Sequence, residues 1–336
     1  MADIMVLGCG GFGVSLSVML HKYGHRVCLW GKFKEEIEDI RQYGENRKLL
    51  PGIPVDPSIE LTTSLDHAGD ADLVLMAVPS FAVRETAEAV APFLNPEAIV
   101  ANVGKGFDPT SKQRLSQVIA QTLPNNDVVV LSGPSHAEEI SRGVPTTIVA
   151  ACENRESAEK VQELLMNTNL RVYVNDDILG VELGGALKNI IAVCAGICDG
   201  LGLGDNTKAA LMTRGLAEIA RLGVAMGARP ETFTGLTGMG DLIVTCTSMH
   251  SRNRRAGILI GQGLPAAEAV ERVGTVEGIS ADRVAFQLAE QYGVEMPITE
   301  QLHKVLTEGK NVKQALSDLM ARPKRHENEE IWIRTK

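Results

Sequence analysis

Ile4-Met5-Val6-Leu7-Gly8-Cys9-Gly10-Gly11-Phe12-Gly13 opens the chain and decides its fold. Four apolar residues run into a glycine turn with G-x-G-x-x-G spacing, and a helical pattern follows through Tyr23 and Gly24. In a strand, turn and helix of this kind, Gly8 permits the tight turn, Gly10 lets a pyrophosphate approach the backbone, and Gly13 allows close packing of helix on strand. The helix start adds unpaired N–H groups and positive potential for phosphate oxygens. The spacing alone is weak evidence. Its place directly after a strand and at the opening of a helix makes it strong.

The next strand is expected at Arg26-Val27-Cys28-Leu29-Trp30. Sites that prefer NAD usually carry Asp or Glu at its end, where the carboxylate holds the ribose 2′-hydroxyl. Here the chain reads Gly31-Lys32-Phe33-Lys34, with no acid until Glu35. A lysine attracts a 2′-phosphate, so the reading favours NADP with Lys32 as its contact; the alternative is an exposed loop lysine. Further strands are expected at 72–78, 98–103, 128–131, 146–151 and 170–174, separated by helical patterns at 83–93, 111–123 and 155–166. Alternating strands and helices predict a mostly parallel sheet covered on both faces, an α/β dinucleotide-binding domain spanning 1–178. Ligands of such sheets sit at the carboxyl ends of the strands. Two strand ends there carry chemistry: Val103-Gly104-Lys105-Gly106, and Ser132-Gly133-Pro134-Ser135-His136-Ala137-Glu138 with Ser135 as a helix cap. Each could be a plain turn, but their shared place at the ligand edge favours both as ligand contacts.

Beyond about residue 174 the strand signals cease. Helical periodicity appears at 180–197, 208–226, 253–261, 280–292, 297–306 and 312–319, predicting an all-helical domain over 179–330. The segment from Arg322 is charged, and Trp332 is a candidate anchor for it. Glu182-Leu183-Gly184-Gly185-Ala186-Leu187-Lys188-Asn189 places two glycines inside a helix, at roughly 1 kcal/mol each relative to alanine, which implies a close approach to the backbone. Lys188 lies one turn beyond Gly184 on the same face. Among apolar neighbours its charged form loses solvation, which suits a general acid/base; the competing reading is a solvated helix lysine beside a packing notch. Ser251-Arg252-Asn253, just before a helix, offers a hydroxyl, a guanidinium, an amide and free N–H groups, a combination suited to phosphate. Standing alone it would read as an ordinary N-cap with a surface arginine.

A length of 336 residues suits two domains, and a net charge of −9 argues against a general nucleic-acid binder. The cysteines at 9, 28, 152, 194, 198 and 246 form no C-x-x-C pair, so they read as reduced, mostly buried thiols, with no metal site. No uninterrupted apolar run approaches the length of a membrane span, and the N-terminus is not a secretory signal. A cytoplasmic location is expected, and a homodimer is a possible assembly.

Taken together, the glycine turn, Gly104-Lys105-Gly106, Gly133-Pro134-Ser135, the stretch from Glu182 to Asn189, Gly204-Asp205-Asn206-Thr207-Lys208-Ala209-Ala210, Gly240-Asp241-Leu242 and Ser251-Arg252-Asn253 closely resemble the bacterial NAD(P)-dependent glycerol-3-phosphate dehydrogenases over nearly the full length. The resemblance implies a Rossmann domain joined to an all-helical domain, and interconversion of dihydroxyacetone phosphate and sn-glycerol 3-phosphate, the start of the phospholipid backbone. It places Lys188 at the proton-transferring lysine, and Lys105, Gly133, Ser135, Asp241, Ser251, Arg252 and Asn253 at substrate contacts. It places Gly11, Phe12, Lys32, Phe33, Lys105, Ala137, Arg252, Thr275 and Glu277 at contacts to NADP(H), with NAD(H) as the alternative cofactor. Two positions depart from the pattern: Gly11, often Ser or Thr, and Thr275, often Val. A 6-phosphogluconate-type dehydrogenase and a catalytically silent nucleotide sensor remain as rivals.

Overall fold

In the computed structural model the described residues are 1–167 and 169–324; the expectations for Trp332 and for the chain beyond Lys324 lie outside them. The chain divides into two compact units, Met1–Ile178 and Leu179–Lys336.

The first unit runs β1 (Asp3–Leu7), α1 (Gly11–Lys22), β2 (Arg26–Trp30), α2 (Lys34–Tyr43), β3 (Glu60–Thr62), β4 (Leu73–Met76), α3 (Val83–Val90), β5 (Ile99–Asn102), α4 (Leu115–Thr122), β6 (Val128–Ser132), α5 (Ala137–Ile140), β7 (Thr146–Ala151), α6 (Arg155–Leu165) and β8 (Leu170–Asn175). The strands form one sheet in the order β3-β2-β1-β4-β5-β6-β7-β8. All neighbours are parallel except β6 and β7. Strand side chains alternate between faces, and both faces are covered. Ile4 and Val6 join one apolar core with Leu73 and Leu75, while Met5 and Leu7 join a second with Val74 and Met76. A strand buried on both sides reads as an unbroken apolar run, which is why β1, β4 and β6 are legible in the sequence. Strand order reverses at β1, which lies between β2 and β4, so a crevice is expected at its carboxyl end.

Several boundaries differ from expectation. The helix expected at 111–123 begins only at Leu115, because both the backbone N–H and the hydroxyl of Ser111 donate to the Asp108 carboxylate at 2.7 Å. That local bonding competes with helix formation. The helix expected at 83–93 ends at Val90, just ahead of Pro92, which has no N–H to continue the helical ladder. β3 and α2 carry too little apolar pattern to be read in advance: β3 is three residues long, and α2 buries only Ile37 and Ile40.

The second unit is helical: α7 (Ile178–Gly200), α8 (Asp205–Ala225), α9 (Pro230–Thr234), α10 (Asp241–Thr247), α11 (Arg252–Gly261), α12 (Ala266–Val273), α13 (Glu277–Tyr292), α14 (Pro297–Thr307) and α15 (Val312–Met320). Short α9, α10 and α12 escape the periodicity reading. By length and composition α7 could cross a membrane, but 83% of its apolar window is buried inside the protein. It is the core helix. It meets α11 at glycines: a Cβ on Gly196 would lie 2.1 Å from the Arg254 carbonyl oxygen, and one on Gly257 2.1 Å from that of Val193. All six cysteines are free thiols.

Glu218 of α8 is 2% exposed and accepts the N–H groups of Ile298 and Thr299 at 2.7 and 3.2 Å, capping α14. Burial nonetheless pushes its carboxyl up to about 7 from 4.5. Because the folded state holds this proton more tightly than the unfolded chain, its contribution to stability is greatest below about pH 4.5 and declines as pH rises to about 7. Urea titrations should show that Glu218→Gln flattens the stability profile across that interval. An unchanged slope would remove Glu218 as its source.

Candidate active site

The first unit contributes the turn between β1 and α1. Gly8 has φ +122°, and a Cβ there would lie 2.6 Å from the Ala77 carbonyl oxygen. At Gly13 a Cβ would come within 1.8 Å of the Gly8 oxygen. These two glycines serve the turn and its packing. Gly10 differs: the nearest atom to a Cβ there would be Leu49 Cδ1 at 4.0 Å. It is the N-cap of α1, whose N-terminus has no side-chain cap and no acid in its first turn. That leaves N–H groups and positive potential over open space, which fits a pyrophosphate. At Gly11 a Cβ would meet the Leu49 carbonyl oxygen at 2.7 Å. The 46–50 loop is tied down over the turn, with the Asn46 amide donating to the Cys9 carbonyl at 2.8 Å. The chain thus has a packing reason for its glycine at position 11. Phe12 is half-buried and packs against the core beneath the turn. After β2, Phe33 is 56% exposed, and Lys32 pairs with Glu85 at 2.6 Å.

Lys105 follows β5. Its ammonium donates to the Gly133 carbonyl at 2.7 Å and to Ser135 Oγ at 3.1 Å. The two strand-end motifs are therefore joined by contact. Buried Asn102 shapes the Gly104 turn by accepting its N–H at 3.1 Å and donating to its carbonyl at 3.2 Å. Ser135 is not the cap expected of it. The N-cap of α5 is His136, with no side-chain cap bond, and the Ser135 hydroxyl donates back to the Gly133 carbonyl at 2.9 Å. Gly133 itself has φ +129°, a backbone region that glycine occupies without strain. Ala137, at the start of α5, accepts the Ser15 hydroxyl through its carbonyl at 2.9 Å. The buried Ser132 hydroxyl at the end of β6 has no hydrogen-bond partner among the described residues, and such a group calls for a ligand or water.

In the second unit Lys188 is 5% exposed. Its ammonium is 2.8 Å from Asp241 Oδ1 and donates to Thr245 Oγ1. Thr245 in turn donates to the Asp241 carbonyl at 2.6 Å. Asp241 and Thr245 stand one turn apart on α10, so both address one amine. Beside the apolar neighbours expected of it, the buried charge of Lys188 has a carboxylate and a hydroxyl. The structure also explains Gly184: a Cβ there would lie 2.9 Å from the Thr237 carbonyl oxygen, in the π-helical turn Leu236–Gly240 that leads into α10. The close approach inferred from this glycine is made by the protein's own backbone. Thr245 was missed; its spacing of four from Asp241 was the available signal.

Ser251 caps α11 by accepting the Arg254 N–H at 3.2 Å. Asn253 is buried, donating to Asn189 Oδ1 at 2.9 Å and accepting the Gly278 N–H at 2.9 Å. Its side chain ties α7, α11 and α13 together. Arg252 is exposed, and Thr275 and Glu277 are half-buried at the approach to α13. Lys208 and Arg254 both hold Asp199, at 2.6 and 2.7 Å. Although burial opposes it, these two cations keep the Asp199 carboxyl below its usual range.

One group of metal-type donors occurs among the described residues. Cys28, Glu60 and His67 bring donor atoms within 4.8 Å of one another. Burial pushes the Cys28 thiol up to about 12, so by itself it stays protonated at neutral pH.

Two family profiles match in sequence order: "NAD-dependent glycerol-3-phosphate dehydrogenase N-terminus" over residues 3–158 and the C-terminus of the same description over 177–317. A Desulfitobacterium hafniense protein named glycerol-3-phosphate dehydrogenase (NAD(P)+) is 52% identical over 99% of this chain and 95% of its own. A Bacillus subtilis protein of that name is 50% identical over 98% and 97%. Among solved structures, glycerol-3-phosphate dehydrogenase from Coxiella burnetii is 36% identical with a TM-score of 0.91, covering 96% of this chain and 99% of that one. A ketopantoate reductase from Ralstonia eutropha, 16% identical with a TM-score of 0.62 over 95% of this chain and 99% of that one, shares the fold.

Removing Asp241 alone should strand a buried ammonium, at a cost of about 3–5 kcal/mol, whereas replacing both partners by apolar residues should cost far less. Denaturant midpoints should therefore place Asp241→Leu below the double variant Lys188→Met/Asp241→Leu. Equal loss in both would show that the two side chains are not coupled.

Proposed function

This chain belongs to the NAD-dependent glycerol-3-phosphate dehydrogenase family, and from that premise we propose that it interconverts dihydroxyacetone phosphate and sn-glycerol 3-phosphate with a nicotinamide cofactor. The observation that carries the reading is the buried Lys188 ammonium held by Asp241 and Thr245. An ammonium kept in place by a carboxylate and a hydroxyl is a preorganised proton donor.

In the direction of reduction, the cofactor supplies a hydride to the C2 ketone and negative charge grows on its oxygen. Lys188 stabilises that charge and donates the proton; in the reverse direction it takes the proton from the C2 hydroxyl. Asp241 compensates the charge of Lys188 and, with Thr245, fixes the direction of its N–H bonds. The exposed guanidinium of Arg252 and the N-terminal N–H groups of α11 suit the substrate phosphate. In this reading the Ser251 and Asn253 side chains, engaged in capping and in tying helices, act by positioning Arg252. Lys105, Gly133 and Ser135 form the further substrate contacts.

We assign the cofactor chiefly to residues 1–178, and the substrate phosphate and the proton chiefly to residues 179–330. Gly8, Gly10, Gly11, Phe12 and Gly13 address the pyrophosphate, chiefly through backbone. Lys32 and Phe33 address the adenosine end, with NADP preferred because β2 ends without an acid, and Ala137, Thr275 and Glu277 complete the set. No residue is assigned to a metal. A cytoplasmic location agrees with this soluble substrate and cofactor.

Dihydroxyacetone phosphate reduction, followed by oxidation of NADPH or NADH, tests the proposal; turnover confined to 6-phosphogluconate or to a hydroxy acid would refute it. Lys188→Ala should lose about 10²- to 10⁴-fold in kcat, the usual share of a general acid, while still binding cofactor. Arg252→Ala should act chiefly through substrate KM, raising it about 10- to 100-fold, as expected for one charge-assisted contact. Full turnover in the first, or an unmoved KM in the second, would end the respective assignment.

A further inference from the structure

The ion pair between Lys32 and Glu85 joins the loop after β2 to the first turn of α3, which follows β4. β2 and β4 are the two strands that flank β1 in the sheet. The pair therefore spans the carboxyl end of β1, the place where a sheet of this order receives the adenosine half of a dinucleotide. An aromatic stands beside each partner in the chain: Phe33, 56% exposed, follows Lys32, and Phe81, 61% exposed, lies one turn before Glu85. Exposed rings at a strand's carboxyl end suit a purine face.

Three of the charges nearby have partners of their own. Arg84 pairs with Asp108 at 3.1 Å and donates to Ser111 at 3.1 Å. Lys34 lies 3.5 Å from Glu38 along α2. Glu36 accepts the Cys9 thiol at 3.3 Å. Lys32 and Glu85 are a cation and an anion that face each other there. Their side chains are 52% and 67% exposed. An ion pair this wet is worth no more than about fivefold in an equilibrium, so a ligand can open it readily.

We propose that Lys32 and Glu85 form a two-position selector for the cofactor's 2′ substituent. Lys32 takes a 2′-phosphate; Glu85 supplies from α3 the carboxylate that the end of β2 lacks, and takes a 2′-hydroxyl. This deepens the NADP reading above and rests on Lys32 meeting the 2′ position. A 2′-phosphate must draw Lys32 away from Glu85 and tolerate a carboxylate beside it, whereas a 2′-hydroxyl can donate to Glu85 with the pair intact. The chain thereby accepts both cofactors, with Glu85 weakening the phosphorylated one and supporting the other.

Calorimetry with adenosine 2′,5′-bisphosphate and with AMP reads the selector without turnover; kcat/KM for NADPH and NADH reads it with turnover. Glu85→Gln should raise the ratio of affinities for the 2′-phosphorylated over the 2′-hydroxyl ligand about two- to fivefold, the range of one partly exposed charge contact. Lys32→Gln should lower the same ratio by about tenfold or more. If Lys32→Gln lowers the ratio but Glu85→Gln leaves it unchanged or lowers it, the selector is wrong while the Lys32 contact stands. If neither variant moves the ratio, the Lys32 contact fails with it. A change that affects both ligands equally marks a structural role for Glu85 and also overturns the selector.

Discussion

A charged amine inside a protein is costly unless something compensates it. Much of the helical unit can be understood as the means of compensating Lys188. The amine projects from α7, the most buried helix of the unit, toward a carboxylate at 2.8 Å and a threonine hydroxyl. Both partners come from α10, which needs its own approach to α7. Gly184 provides it by letting the Thr237 carbonyl into the space a side chain would fill. One interaction thus dictates a glycine on one helix, an irregular turn before another, and a spacing of four between Asp241 and Thr245.

The first unit obeys a different constraint. A parallel strand covered on both faces must be apolar throughout, so β1 and β4 have no room for chemistry along their length. The chemistry moves to their carboxyl ends. There the chain uses glycines for backbone approach at Gly8 and Gly13, open space at Gly10, and lysines at 32 and 105 as its cations. Lys105 bridges two strand ends through Gly133 and Ser135, so that loops from β5 and β6 share one local geometry.

The glycine at position 11 has a cause visible in packing. At Gly11 the carbonyl of Leu49 occupies the volume a larger residue would need, and the loop bearing it is anchored by Asn46 to the backbone of Cys9. A single alternative at one position is therefore coupled to the path of a loop more than thirty residues away in sequence.

The sequence by itself determined the alternation of apolar runs and helical periods, and with it the α/β and all-helical halves; these signals are local, because burial on one or two faces imprints a period of two or of 3.6 residues. It also determined which residue types were candidates: the glycine turn, Lys105, Lys188, Asp241 and Arg252. It could not tell a contact to a ligand from a contact to the protein itself. Only the tertiary structure decided that Ser251 and Asn253 spend their side chains on capping and on tying helices, that Ser135 meets Lys105 instead of capping α5, and that Lys32 already has a partner in Glu85. Those outcomes depend on residues tens of positions apart in the chain, and a spacing along the sequence carries no information about such distances.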